Sequence, residues 1–411
     1  MPLLLTRPLP KGKIVELSHR VNAIKESPTL AITAKAQKLK AEGRDVVALA
    51  AGEPDFDTPD HIKAAAIEAI NKGFTKYTPV SGTPALKKAI VEKFKRDNGL
   101  EYAANQVLVS VGGKQSFYNL CQAYINDGDE VIIPAPYWVS YPDMTILAGG
   151  VPVVVECGIE QGYKLSPAQL EAAITPKTRM LVINSPSNPT GAVYTLEELK
   201  ALGDVLKKHP NILVASDDMY EHVMLGDTKF YNILNACPEL KEQVIVLNGV
   251  SKAYSMTGWR IGYAAGPQKL IKAMENIQSQ STSNPTSISQ VAAQAALEGD
   301  QGCITPMLKA FNERHVYVVD RFNKMRGLKC LRAGGAFYAF VDAREAIKLL
   351  AAEGKIAGAT DMALGTYLLE AQDVAVVPGS AFGAEGYFRI SFATSMQNLE
   401  KALDRIEKAL A

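Results

Sequence analysis

The stretch VIVLNGVSKAYSMTGWRIGYAAGP, residues 244–267, decides how this chain folds. Its first four residues are a continuous apolar run of the kind a strand buried on both faces requires. Asn248 and Gly249 then turn the chain toward Lys252. A lysine at the end of such a strand is set inside the protein, where desolvation disfavours the ammonium form. The amine can then be free near neutral pH, able to condense with an aldehyde or to take a proton. Arg260 lies ahead of a second apolar segment, 261–265, and offers a planar charged fork suited to a phosphate.

The totals agree with a large enzyme-like core. With 411 residues, 47% of them hydrophobic, the chain is longer than one ordinary domain, and two are expected. Its 44 basic and 43 acidic residues leave a formal net charge of +1, which argues against nucleic acid or a membrane surface as the main partner. A charged ligand must be met locally. The five cysteines, Cys121, Cys157, Cys237, Cys303 and Cys330, are widely spaced with no C-x-x-C pair, as expected for reduced thiols in a cytoplasm. Residues 1–13 contain only a short apolar run and are expected to be a loose arm rather than a signal peptide. No run approaches membrane-spanning length.

Along the chain, strands and helices alternate. Residues 27–42 carry an imperfect helical stripe that Gly43 ends, and 46–49 read as a short strand. In the loop AGEPDFDTP, 51–59, Gly52 lets a ligand approach the backbone. Thr83 and Pro84 start a helix with Leu86, Ile90, Val91 and Phe94 on one face, and Asn98-Gly99 stops it. Strand 107–111 runs into Gly112-Gly113-Lys114-Gln115 and a helix from 117 to about 125, so free amides and the positive end of a helix dipole meet where a phosphate would sit. Neither a Walker spacing nor a G-x-G-x-x-G after a strand is present, which sets nucleotide binding aside.

Strand 131–133 leads to PYWVSYP, 136–142, with three aromatics at a strand's end. Strand 180–184 precedes the turn-rich SPSNPTG, 185–191, and Thr195 with Glu198 makes a capping box for a helix over 196–208. Strand 212–216 ends in DDMYEH, 217–222, on the edge where open α/β sheets hold their ligands. Adjacent Asp217 and Asp218 cannot both face that place, and Asp218 is read as structural. A helix is expected over 268–278, a polar crossing over 279–289, and a long helical region to about Met325. Strands 337–341, 374–377 and 388–392, with an amphipathic helix over 396–410, then make a smaller α+β unit. Within it Arg389 interrupts an apolar strand and needs a carboxylate, from protein or from ligand.

Five of these motifs, in order, resemble the class I aminotransferases, which bind pyridoxal 5′-phosphate. SKAYSMTGWRIG, 251–262, is similar to their cofactor-lysine signature, SPSNPTG to their N-P-x-N-P-T-G loop, and DDMY to their D-x-x-Y. The likeness runs from about Val15 to Ala409. It implies fold type I of the PLP-dependent transferases: an α/β architecture with a large, mostly parallel domain over 62–305 and a small α+β domain built from 14–61 and 306–411. It also implies roles. Lys252 carries the cofactor and moves the substrate proton, Asp217 pairs with the pyridine nitrogen, and Tyr220 and Asn188 bond the phenolic oxygen. Trp138 stacks on the ring. Arg260 and the Gly113 and Lys114 amides hold the phosphate, with Ser251 a further candidate, and Tyr77 reaches the partner's cofactor across a homodimer interface. Gly52 and Arg389 take the substrate carboxylate, in a pocket that Trp138 and Asn188 also line.

The nearest branch is that of bacterial aspartate aminotransferases of the Thermus type, whose lysine matching Lys114 binds the distal carboxylate. Residues associated there with prephenate match Lys25, Thr29 and Lys114. The implied activity is amino exchange between L-aspartate and 2-oxoglutarate, with prephenate converted to L-arogenate, in a cytoplasmic homodimer without a metal. One departure is Gly249, where the animal-type enzymes have a phosphate-binding serine. A PLP-dependent lyase of the same fold would share Lys252 and Asp217. A PLP-binding regulator would need a DNA-binding domain, for which the first residues hold neither a helix-turn-helix nor a basic patch.

Overall fold

The computed structural model describes residues 15–24 and 28–411. The expected arm at 1–13 and Lys25 fall outside them, and Thr29 is described only as backbone of the helix Pro28–Ala41. Beyond β1 (Val47–Ala48), the chain alternates helices with β2 (Val107–Ser110), β3 (Glu130–Ala135), β4 (Val151–Glu156), β5 (Thr178–Asn184), β6 (Leu213–Asp217), β7 (Val244–Gly249) and β8 (Gly262–Ala265). The last seven form one sheet in the order β2-β8-β7-β6-β5-β3-β4. Strands β3 to β7 run parallel, and β8 lies antiparallel to both neighbours.

This sheet is buried on both faces, as the apolar run at its centre requires. Every residue of β7 is buried, with Val244 and Val246 joining one core and Ile245 and Leu247 the other. Pro84–Lys93 and Ser287–Glu298 cover the first face through Leu86, Ile90 and Ala292, while Gly113–Tyr124 and Gln268–Ser279 cover the second through Phe117, Leu120, Ile271 and Met274. Thr83 caps as expected, its hydroxyl accepting from Leu86 N, and the Thr195–Glu198 capping box is formed. The edge strand β4 was not expected from the sequence. It contains Pro152, which an edge tolerates because one row of backbone groups needs no partner.

The rest of the chain builds a second sheet from β9 (Lys329–Cys330), β10 (Tyr338–Asp342), β12 (Val377–Pro378) and β13 (Tyr387–Ser391), in the order β12-β13-β10-β9, while β11 (Val374–Ala375) pairs in parallel with β1. The single strand expected over 374–377 is thus divided between two sheets. The long helical region likewise splits into Ser287–Glu298 and Thr305–Phe322. Gly299 and the tight turn Gln301–Ile304 break it. The helices Arg344–Ala352 and Asp361–Gln372 were not expected, whereas Met396–Leu410 was. No helix among the described residues is long and apolar enough to cross a membrane.

The candidate active site

The carboxyl ends of the parallel strands lie along one edge of the sheet, and the candidate residues stand at or just beyond them. Lys252 follows β7, Asp217 ends β6, Asn184 ends β5, and Trp138 follows β3. The Lys252 amine donates to the carbonyl of Gly52 at 2.6 Å and faces the rings of Tyr220 and Phe337, about 6 Å from each centroid. Its side chain is part-buried, and neighbouring protein takes the amine largely out of water. This desolvation lowers its pKa to about 8, and the nearby Arg389 and Arg260 charges push the same way against Glu53 and Asp217.

Asp217 accepts from the Tyr141 hydroxyl at 2.5 Å and from Met219 N at 3.2 Å. Burial pushes its carboxyl above the usual range, with the Tyr141 bond, the Met219 amide and Lys252 opposing. Asp218 points elsewhere, into bonds with Ser216 and Asn232, which bears out its structural reading. Tyr220 meets the hydroxyl of Tyr338 at 2.8 Å. Asn188 accepts from Arg389 at 2.8 Å, leaving its NH2 as a donor.

Arg389 is buried without a carboxylate partner among the described residues. Its two terminal nitrogens bond Asn188 and the Ala50 carbonyl, and its Nε has no partner among the described residues. An orphaned buried donor of this kind costs about 1–3 kcal/mol, so the guanidinium is left wanting an acceptor. Among the described residues, the protein carboxylate that the sequence left open is absent.

On the other side of the cleft, glycines allow backbones to touch. A Cβ on Gly262 would lie 2.2 Å from the Gly113 nitrogen, and one on Gly112 would lie 2.4 Å from the Arg260 guanidinium. Arg260 therefore sits beside the start of the helix Gly113–Tyr124, whose first amides have no acceptor a turn earlier. Ser255 (φ 50°) and Arg260 (φ 57°) both adopt the left-handed conformation, strain that the surrounding packing holds at this site. Lys114 lies 5.1 Å from the Trp138 ring centroid, its pKa lowered by burial and by Arg260. Tyr77 stands apart from all of these, 93% exposed.

A flat, phosphate-bearing pyridine aldehyde fits this donor set. Arg260 and the amides at the start of the helix Gly113–Tyr124 would hold its anion, Trp138 would offer a flat face, Asp217 a partner for a ring nitrogen, and Lys252 an amine.

Sequence reasoning missed Tyr338 and the bond from Tyr141 to Asp217. For Tyr338 the available signal is strand register: Phe340 pairs with Arg389 across β10 and β13, so Tyr338, two residues earlier, shares that face. It also missed the support beneath the cleft. Glu221, next to Tyr220, is buried and pairs with the fully buried Lys93, and it accepts from Asn98 at 2.7 Å and Asn248 at 2.9 Å. The Lys93 pairing holds the Glu221 carboxyl below its usual range against the burial that would raise it. Glu221→Gln, which strands the buried ammonium, is expected to lower the unfolding free energy by about 3–5 kcal/mol in chemical denaturation. A loss below about 1 kcal/mol, the size typical of exposed pairs, would contradict this.

Comparison with known proteins agrees with this arrangement. The family model for aminotransferase class I and II matches residues 44–406. An aspartate/prephenate aminotransferase of Nitrosomonas europaea is 62% identical over 397 residues, spanning 97% of this chain and all of that protein. Two solved structures superpose closely: an aspartate aminotransferase of Rhizobium meliloti (TM-score 0.91, 47% identity, 96% of this chain and 99% of that one) and the Thermus thermophilus aspartate aminotransferase with maleate (TM-score 0.90, 44% identity, 96% and 100%). The mostly parallel sheet with its flanking helices is the α/β architecture expected of fold type I. A lysine amine and a part-buried aspartate at the carboxyl edge of the large sheet, with a buried, unsatisfied arginine on β13 of the small one, thus stand in the company of proteins that share the whole fold, and the chain belongs to the class I and II aminotransferases.

Proposed function

We propose that this enzyme exchanges the amino group between L-aspartate and 2-oxoglutarate through pyridoxal 5′-phosphate, and that it also converts prephenate to L-arogenate with glutamate or aspartate as donor. The observation that carries the reading is the desolvated, part-buried Lys252 amine, with its pKa near 8, facing Tyr220 and in the electrostatic field of Asp217 and Arg389. Support for the substrates comes from the names of the relatives and from Lys114, a second cation across the cleft.

When bound, the cofactor supplies an aldehyde for the amine and an electron-withdrawing ring. Asp217 keeps the ring nitrogen protonated, a task suited to a desolvated carboxyl already inclined to hold a proton. Tyr220 and the Asn188 NH2 donate toward the phenolic oxygen, and Trp138 covers one ring face. Arg260 and the Gly113 and Lys114 amides hold the phosphate. Arg389 grips the substrate α-carboxylate near Gly52, turning its orphaned Nε toward an acceptor. With the cofactor bound, Lys252 would take the proton from the substrate Cα and return it to the cofactor carbon that bore the aldehyde. Lys114 binds the distal carboxylate, and Lys25 and Thr29 remain candidates for prephenate.

Two further parts of the reading concern assembly. The pairing of β1 with β11 supports a small domain of 14–61 and 306–411 against a large one of 62–305. The exposed Tyr77 ring supports a homodimer in which each protomer lends it to the other's phosphate site. Five free cysteines are compatible with the cytoplasm.

A panel of amino donors with 2-oxoglutarate, oxaloacetate and prephenate tests the reading. Aspartate with 2-oxoglutarate is expected to be turned over, and prephenate with glutamate is expected to give arogenate. Elimination of the side chain in place of keto-acid formation would favour the lyase, and no arogenate would remove the prephenate half.

A further inference from the structure

Tyr338 touches both halves of the cleft. Its hydroxyl is 2.8 Å from that of Tyr220, and its ring lies 4.4 Å beneath the Arg389 guanidinium carbon. A Cβ on Gly52 would come within 2.9 Å of the same hydroxyl, so the loop that meets Lys252 rests against it as well. The residue is fully buried on β10, wedged between the rings of Phe337 and Tyr220.

Two phenols that share one hydrogen bond must choose a donor, and the more acidic of them donates. Arg389, a permanent cation over the Tyr338 face, favours the anionic form of that phenol. With Tyr338, on whose ring Arg389 is stacked, as the donor, the Tyr220 proton is left to point into the cleft. A chain of hydrogen bonds running one way strengthens each member. The Tyr338 ring meanwhile backs the guanidinium, whose terminal nitrogens are fixed by Asn188 and Ala50.

We propose that Tyr338 is a positioning residue that couples the two subsites, its hydroxyl directing the Tyr220 proton and its ring seating Arg389 for a carboxylate. This rests on the aminotransferase reading of the cleft. The two functions separate by substitution, because Tyr338→Phe removes only the hydroxyl and Tyr338→Leu removes the ring too.

The test uses the cofactor-loaded protein, with maleate as the carboxylate probe and the bound cofactor's absorbance as the readout. In Tyr338→Phe the pH midpoint of the absorbance change is expected to rise by about half a unit or more, since the anionic oxygen loses part of its donor. Maleate affinity in that variant should stay within about threefold of the parent. In Tyr338→Leu it should weaken at least about tenfold further. An unchanged or lowered midpoint in Tyr338→Phe would overturn the directing role, and equal maleate affinity in the two variants would overturn the seating role. A parent protein that takes up neither cofactor nor maleate would overturn the aminotransferase reading along with this one.

Discussion

Lys252→Ala is expected to lower kcat/KM for amino transfer by about 10⁴-fold or more, the upper end of what one positioned proton-transfer group supplies. The loss reaches that end because the same nitrogen both condenses with the aldehyde and carries the proton. Folding should be little affected, since the amine makes one hydrogen bond, to Gly52. The pH dependence has a definite sign. With a pKa near 8, the cofactor-free protein should be labelled at Lys252 by an aldehyde and borohydride more rapidly as pH rises through 8, with a plateau above. Peptide mapping locates the label. Label at another lysine, or turnover that survives the alanine, would remove the central assignment.

Arg389→Leu is expected to be the second most damaging change. Removing one partner of a buried, hydrogen-bonded charge pair costs about 2–5 kcal/mol, which converts to roughly 30-fold to 4,000-fold in kcat/KM. Maleate binding should fall in parallel while cofactor uptake persists, because Arg389 lies on the carboxylate side of the cleft. Arg389→Lys keeps a charge but loses the fork, and should fall between parent and leucine. A leucine variant with undiminished maleate affinity would mean that the guanidinium serves the fold through Asn188 and Ala50 alone.

Much of the large sheet was legible in the sequence because its signals are local. The apolar runs of β5, β6 and β7, the glycines before the helix Gly113–Tyr124 and the caps at Thr83 and Thr195 each decide their own few residues. Lys252, Asp217, Asn188 and Arg389 sit at the ends or centres of such segments, but that they meet was implied by the family resemblance and not by their spacing. What escaped depends on pairing between distant segments. The residues around 374–377 read as one strand, and only their two partners, β1 and β13, divide them. Tyr338 looks like any buried aromatic until β13 brings Arg389 onto its ring. Glu221 and Lys93 read as ordinary charges until packing removes both from water.

The union of β1 with β11 also bears on how the polypeptide is made. The Ala50 carbonyl waits for Arg389, 339 residues downstream, and Asp45 for Arg405, 360 residues downstream. Closing a loop of that length raises the entropic cost only slowly with length, but it cannot happen before both ends exist. On the ribosome the central sheet can therefore collapse while β1 still lacks its partner strand. The carboxylate-gripping half of the cleft assembles last, and a nascent protein stalled short of β13 carries the lysine but not the arginine.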